Sequence, residues 1–551
     1  MRLKSSSIEI ALLLLVYLST LYVWTLPLQG NTLPFGDVDA SSHFTIGDYM
    51  LSTDASVLRT PYHITFRYGG QNNAFPDYLW YPPQYWTNAA IAQSLGGDRL
   101  LPFFLIVALF CSIIVLTSYF LIRALFGMWP ALLSSLLLGF STRDYMIYLW
   151  GQWPQSLSFA LTPVALYCLY RYVGSYAASR EETPGEKEEK KKEHLQRIIY
   201  ASLYGLVLAG QFFFHPQGMI AAIGASLFFV LFLIIRDRKI PFSFRDMAIG
   251  IGMLIAVAVA FAPFNVGEFV MELLPQGGSG GQTQPPQYAK LFQWYQGISN
   301  DPGLPDFYFT YNKTHGSLDG GLLSWWTLPL LAMGIAALLM RRRSQELLML
   351  AWLTSFYILT RLVIFGIGSR DIRMFAYEAH VFYPLIALGL LAIPSFFQVK
   401  YHSRLRAGLI AIFIILAIVV NGASAYKTLA GMQHSISRIS PYQYGAAAWL
   451  RDNTPPEADI YDFGTLGFQN YAAKVKWMGV LAQRHFIVND GKEQEGTDYI
   501  LIDYTDALAL HNEEYINAIR QFEQQFANAT ALYNQDNIRV YKANGLFPAN
   551  A

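Results

Sequence analysis

Cysteine is almost missing from this chain: Cys111 and Cys168 are the only two among 551 residues, and both stand inside apolar stretches. Two isolated thiols of that kind exclude a disulfide framework and a cysteine-built metal centre. Charge is scarce too, at 14% of residues, and it is balanced, with 39 Lys and Arg against 38 Asp and Glu. That balance leaves no sign of a nucleic-acid partner. No convincing internal repeat is visible, and few charged residues fall in the middle of the apolar runs. A transporter built from two repeated halves around a midplane site would show both.

What fills the chain is apolar residue, 53% of the total with a mean hydropathy of +0.28. Soluble domains of this length do not have such a composition. Stretches of the roughly 17–25 residues needed to cross a bilayer as a helix begin near Ile8, Leu100, Pro130, Gln155, Ile198, Gly218, Met247, Leu322, Gln345, Ala376 and Arg406. The fold class expected is therefore an α-helical multi-pass membrane protein with about eleven transmembrane helices. The first run follows Arg2 and Lys4, is too long for the core of a signal peptide, and is followed by TLPLQG without a small-x-small site. It reads as a retained anchor.

Basic residues set the orientation. Arg2 and Lys4, Arg123, the 171–197 segment, Arg236 with Arg238 and Lys239, Arg341 to Arg343, and Lys400 with Arg404 and Arg406 fall on one side of alternate runs. That side is expected to be cytoplasmic, in a cell membrane. The other side receives two long loops, about 29–99 and 265–320, and a tail. Both Asn-x-Thr acceptors, at Asn312 and Asn528, lie there. The mixed-charge run Glu181 to Glu193 reads as a solvated cytoplasmic loop or helix end, and the Gly- and Pro-rich Pro275 to Gln287 as a spacer or flap. The expected organisation is a membrane domain over 1–435 and an extracytoplasmic α/β domain over 436–551. In the latter, Tyr444 to Arg451 has helical character, ADIYDF, HFIVND and DYILIDY read as strands, and ALYNQDNIRVYK as a closing hairpin.

Ionisable groups gather near the outer ends of the runs, where facing lipid would cost several kcal/mol. GDVDASSHF carries Asp37, Asp39 and His43; STRDYMIYLWGQWPQS carries Arg143 and Asp144; FFFHPQG carries His215; SRDIRMFAYEAHVF carries Arg370, Asp371 and Arg373, with Glu378 and His380 just beyond. Two residues apart in an extended loop, Asp37 and Asp39 would point the same way. Such a pair can hold a divalent cation such as Mg2+ or Mn2+, or divide the work of a general base. A polar turn capping a helix is the plain alternative. Asp144 is the second acidic group available to a metal, and His215 could join it, contact substrate or be structural. YLWYPPQYW, with Tyr81 before a proline pair, suits a membrane interface or stacking on a sugar. An Arg143–Asp144 ion pair could simply seal helix ends.

Taken in order, these motifs resemble the GT-C superfamily of integral-membrane glycosyltransferases, which use polyprenyl- or dolichyl-phosphate-linked sugars. The resemblance spans the whole chain: a first span, an outer loop opening on an acidic pair, a YPP motif, and a terminal outer α/β domain. It implies transfer of a sugar from a polyprenyl-phosphate donor to an extracytoplasmic glycan, lipid or protein acceptor. In that scheme Asp37 is the catalytic base, and Asp39 supports it or binds metal. Arg370 and Arg373 grip the lipid phosphate, and His43, Tyr81, Arg143, Asp144 and His215 contact substrates. At one point the tail is similar to the oligosaccharyltransferase catalytic subunit, with Tyr461, Asp462, Phe463 and Gly464 in the places of its aromatic-Asp-aromatic-Gly motif, though without the tryptophans. Two alternatives follow: en bloc glycan transfer to asparagine, and a catalytically silent membrane scaffold serving polymer export or assembly.

Overall fold

A computed structural model describes residues 5–36, 38–52, 82–96, 99–179, 187–266, 326–360, 377–396, 402–435, 438–465, 471–488 and 497–543. Without water to bind exposed amides, an apolar run in lipid satisfies its backbone internally, and the long runs are accordingly helices. Seven described segments are long and apolar enough to span: Ser7–Trp24, Leu100–Phe126, Lys191–Phe214, Pro216–Asp237, Phe244–Phe261, Ala379–Phe396 and Ser403–His434. Elements are named as follows. The first membrane helices are α1 (Ser5–Trp24), α4 (Leu100–Ser112), α5 (Ile114–Phe126) and α6 (Met128–Gly139), with α2 (Val38–Ser52) and α3 (Gln84–Gln93) between α1 and α4. Next come α7 (Thr142–Trp150), α8 (Trp153–Ala160), α9 (Thr162–Ala178), α10 (Lys187–Phe214), α11 (Pro216–Asp237) and α12 (Phe244–Phe261). The last are α13 (Thr327–Arg341), α14 (Ser344–Leu359), α15 (Ala379–Phe396), α16 (His402–Leu416) and α17 (Ala423–Gly431).

The four other expected spans are represented by shorter helices. The run near Pro130 is the 12-residue α6, and the one near Gln155 breaks at Leu161 into α8 and α9. The runs near Leu322 and Gln345 give α13, 15 residues, and α14, 16 residues. Small residues let the helices close on one another. A Cβ on Gly334 of α13 would lie 2.1 Å from Leu385 O of α15, and one on Gly205 of α10 would lie 2.0 Å from Gly250 O of α12. Basic residues from separate loops meet at one end of the bundle: Arg236 Nη1 donates to Arg342 O at 3.2 Å, and Arg197 pairs with Asp246 at 3.2 Å.

The tail contributes α18 (Pro441–Asn453), α19 (Tyr471–Ala482), α20 (Thr505–Ala509) and α21 (Glu513–Glu523) around a five-stranded sheet of order β2-β1-β3-β5-β4. Its strands are β1 (Asp459–Phe463), β2 (His485–Val488), β3 (Tyr499–Asp503), β4 (Tyr533–Gln535) and β5 (Ile538–Lys542). β1 lies parallel to β2 and β3, and β5 runs antiparallel to β3 and β4. Asp536 and Asn537, both at positive φ, make the tight β4–β5 turn. Ser440 and Gln443 cap α18 reciprocally. One sheet face packs on α21 through Tyr461, Ile502, Ile519 and Phe522. The other shares a core with α18, α19 and the segment after α1, in which Ile460, Leu501 and Trp477 join Phe35, Phe44 and Phe104.

At the carboxyl ends of β1 and β3 the tail buries three acids. Gln443 Nε2 donates to Asp503 at 2.6 Å and Asp506 at 3.3 Å, and Lys474 Nζ reaches Asp506 at 2.5 Å. Burial, and then the charges of Asp503 and Asp506, push the Asp462 carboxyl up to about 8. An unfolded chain releases that proton in the ordinary carboxylate range, whereas the folded tail keeps it. Tail stability therefore falls as pH rises toward about 8, where the folded group has itself ionised, and is level above. Asp462→Asn keeps the oxygen that accepts from Thr465 N at 3.2 Å. It should flatten this slope, read as hydrogen-exchange protection of β1 and β3 amides in the full-length protein between about pH 5 and 9. An unchanged slope would assign the dependence to other groups.

Candidate active site

Four of the residues expected to form the site, Asp37, Tyr81, Arg370 and Arg373, lie outside the described residues. The other five can be placed. Asp39 stands in the first turn of α2, where a carboxylate complements the helix dipole. The stretch expected to be extended there is helical from Val38 onward. Gln152, just past α7, donates its Nε2 to the Asp39 carboxylate. The approach depends on two glycines with positive φ. A Cβ on Gly36 would lie 2.6 Å from Ala40 Cβ, and one on Gly151 would lie 2.4 Å from Ala40 N.

His43 is buried on the inner side of α2. Its Nδ1 accepts from Trp86 Nε1 at 2.9 Å, and the rings of Tyr85, Trp86 and Trp153 surround it at 5.5 to 6.0 Å. Tyr85 and Trp86 come from the YPPQYW motif, so that motif and the first acidic segment are one structure. His215 caps α11, its Nδ1 accepting from Gln217 N at 3.3 Å while Ser158 Oγ donates to its carbonyl at 2.6 Å. These bonds give it a helix-capping role.

Arg143 and Asp144 open α7 beneath the Ser141 cap, whose side chain accepts from Asp144 N at 3.3 Å. Both are buried, and they meet Glu378 and His380 at the start of α15. His380 Nε2 lies 2.8 Å from Asp144 Oδ1, and Arg143 is within electrostatic reach of Glu378, Tyr383 and Asp144. Thr360 donates to Glu378 at 3.4 Å, and the Ser156 and Tyr377 hydroxyls are 3.2 Å apart. The lone Arg143–Asp144 pair considered from sequence is thus part of a four-residue group. Glu378 and His380 were visible in the sequence as E-x-H after the arginine-rich loop but carried no assigned role there. Their partner stands 236 residues away.

Asp39 and Asp144 do not come together as one ligand set. Asp39 engages the residue after the end of α7, Asp144 sits in its first turn, and a nine-residue helix spans about 13 Å. Among the described residues no group of three or more His, Cys, Asp or Glu is arranged to hold a metal ion.

Residues 4–455 match a family of unknown function, DUF6541. The chain belongs to that family. No curated protein sequence matches it. Among solved structures it is similar to ArnT from Cupriavidus metallidurans, at 12% identity over 100% of both chains with a TM-score of 0.54. ArnT bound to undecaprenyl phosphate gives 13% identity over 98% of this chain and 99% of that one, also at 0.54. The oligosaccharyltransferase AglB from Archaeoglobus fulgidus, in complex with an inhibitory peptide and a dolichol-phosphate, gives 15% over 93% and 68%, at 0.51. At such identities the likeness concerns the fold, and the fold is that of the GT-C glycosyltransferases. This family member is an integral membrane protein.

Proposed function

We propose that this protein is a membrane glycosyltransferase that moves a sugar from a polyprenyl-phosphate carrier to an acceptor outside the cytoplasm. One observation carries the reading: within a fold shared over its whole length with ArnT, Arg143, Asp144, Glu378 and His380 converge in a buried group at the junction of α7 and α15. Buried ionisable groups in a membrane protein are costly and mark function by default. The dolichol-phosphate in the AglB structure and the undecaprenyl phosphate in the ArnT structure support a polyprenyl-phosphate donor.

In this reading Arg370 and Arg373, on the segment leading into α15, take the lipid phosphate, which gains charge as the sugar leaves. Asp37 binds and activates the acceptor hydroxyl, and Asp39, held by Gln152, fixes the start of α2 beside it. The test uses full-length protein in liposomes with a synthetic short-chain polyprenyl-phosphate hexose. Transfer or release of the hexose is expected from the native sequence, with a loss of about 10²-fold or more in Asp37→Asn. Full activity in a normally folded Asp37→Asn refutes the role of Asp37, and no activity on any such donor refutes the reaction.

The oligosaccharyltransferase-like alternative has less support. Asp462, which would face the acceptor, is buried beside Asp503 and accepts from Thr465 N. A glycan appearing on an Asn-x-Thr peptide, lost in Asp462→Ala, would restore that alternative.

A further inference from the structure

The His380–Asp144 pair has two loose ends. Oδ1 of Asp144 meets Nε2 of His380, while Asp144 Oδ2 and His380 Nδ1 have no hydrogen-bond partner among the described residues. Both side chains are more than nine-tenths buried, at 1% exposure for His380 and 6% for Asp144. Native proteins rarely leave buried polar atoms bare, and those that stay bare call for an explanation. An ionised carboxylate can only accept, so Nε2 carries the ring proton and Nδ1 presents a lone pair. A carboxylate fixing the tautomer of an imidazole whose other nitrogen is free is the arrangement of an activated general base.

We propose that His380, oriented by Asp144, takes the proton from the acceptor hydroxyl; the inference rests on the transferase reading given above. The acceptor O–H bond breaks and its proton goes to Nδ1. The acceptor oxygen bonds to the anomeric carbon, whose bond to the phosphate oxygen breaks with its electron pair leaving on the lipid phosphate. The imidazolium later returns the proton to water. His380 then takes the base role given to Asp37 above, because Asp144 opens α7 while the start of α2 meets the turn after it.

Among the described residues, the titratable and charged groups facing the pair are Arg143 from α7, Tyr377 and Glu378 just before α15, Tyr383 of α15, and Cys111 of α4 toward Asp144.

The experiment compares His380→Ala, His380→Gln and Asp37→Asn in the liposome assay across about pH 5 to 9, together with 15N NMR of the histidine-labelled protein. Expected for His380→Ala is a fall in kcat of about 10²- to 10⁴-fold with little change in donor KM. The acidic limb of the profile should disappear, and added imidazole should restore part of the rate. NMR should show a His380 Nδ1 without a proton near neutral pH. Three results overturn the proposal: an acidic limb retained in both His380 variants, a limb lost in Asp37→Asn only, or a proton on Nδ1 at rest. A native protein inactive on every donor removes the underlying reaction instead. The NMR result, which needs no turnover and tolerates a poorly folding variant, separates the two failures.

Discussion

Gly151→Ala is expected to detach the start of α2 from the α7–α8 turn and to destabilise the protein by about 2–5 kcal/mol. The residue sits at φ +87, in the left-handed region where a Cβ costs roughly 1–2 kcal/mol. The added carbon would also stand 2.4 Å from Ala40 N and 2.8 Å from Ala40 Cα. These are backbone atoms, so no rotamer change relieves the overlap, and overpacking of this kind costs typically 1–3 kcal/mol more. The helix start must move, taking Asp39 away from Gln152. Thermal unfolding in detergent should show a lower midpoint, and hydrogen exchange should rise over the first turns of α2. Gly174→Ala is the control: that glycine has nothing within 4 Å of a built Cβ, and alanine in a helix is favoured by about 1 kcal/mol. Equal midpoints for the two variants would mean that the Gly151 contact does not hold α2 in place.

Arg438→Ala should loosen the connection between the segment after α1 and the tail. Arg438, 3% exposed, gathers with its guanidinium backbone carbonyls from residues 27–33, about 400 positions away along the chain. Its Nε donates to Leu33 O at 3.0 Å and its Nη2 to Asn31 O at 2.7 Å, with a further bond to Pro27 O, while its plane lies 5.5 Å from the Phe35 ring. Burial draws its own proton affinity down to about 10, so it remains charged at physiological pH. Truncation leaves several buried carbonyls unpaired, each worth about 1–3 kcal/mol, for a total loss of about 3 kcal/mol or more. Arg438→Lys should recover little, because a point charge cannot reach carbonyls spread around a fork. Proteolysis of the full-length protein is the readout. Cleavage around residues 29–36 should accelerate in both variants, and unchanged cleavage would show that the shared Phe35, Phe44 and Trp477 core suffices.

Hydropathy and loop charge, both local properties, made the membrane class and the run of helices legible, because lipid leaves a long apolar segment no other way to satisfy its backbone. Strand character in ADIYDF and DYILIDY was equally local and reappears in β1 and β3. Short helices were harder: α6 and α13 read as full spans because apolar flanks do not say where a helix stops. The segment after Asp37 read as an extended loop, since its polar residues hide a helix that is held by packing against aromatic rings from α3 and α8.

The candidate motifs were recognisable one by one, and loop charges gave the expectation that they share one side of the membrane. Which of them meet was not. Arg143 and Asp144 were read as substrate contacts or a sealing pair, yet Asp144 spends its oxygen on His380, and His43 is enclosed by Trp153 and by Trp86 of a motif read as an interfacial belt or sugar platform. Such contacts join segments tens to hundreds of residues apart. The sequence by itself determined the lipid environment, the helical class and the inventory of ionisable groups, because each depends on residues adjacent along the chain. Only the tertiary structure decided that Asp144 finds an imidazole, that Glu378 and His380 belong with it, and that Asp39 and Asp144 stand at opposite ends of one helix. Those outcomes depend on distances between elements, which local sequence does not encode.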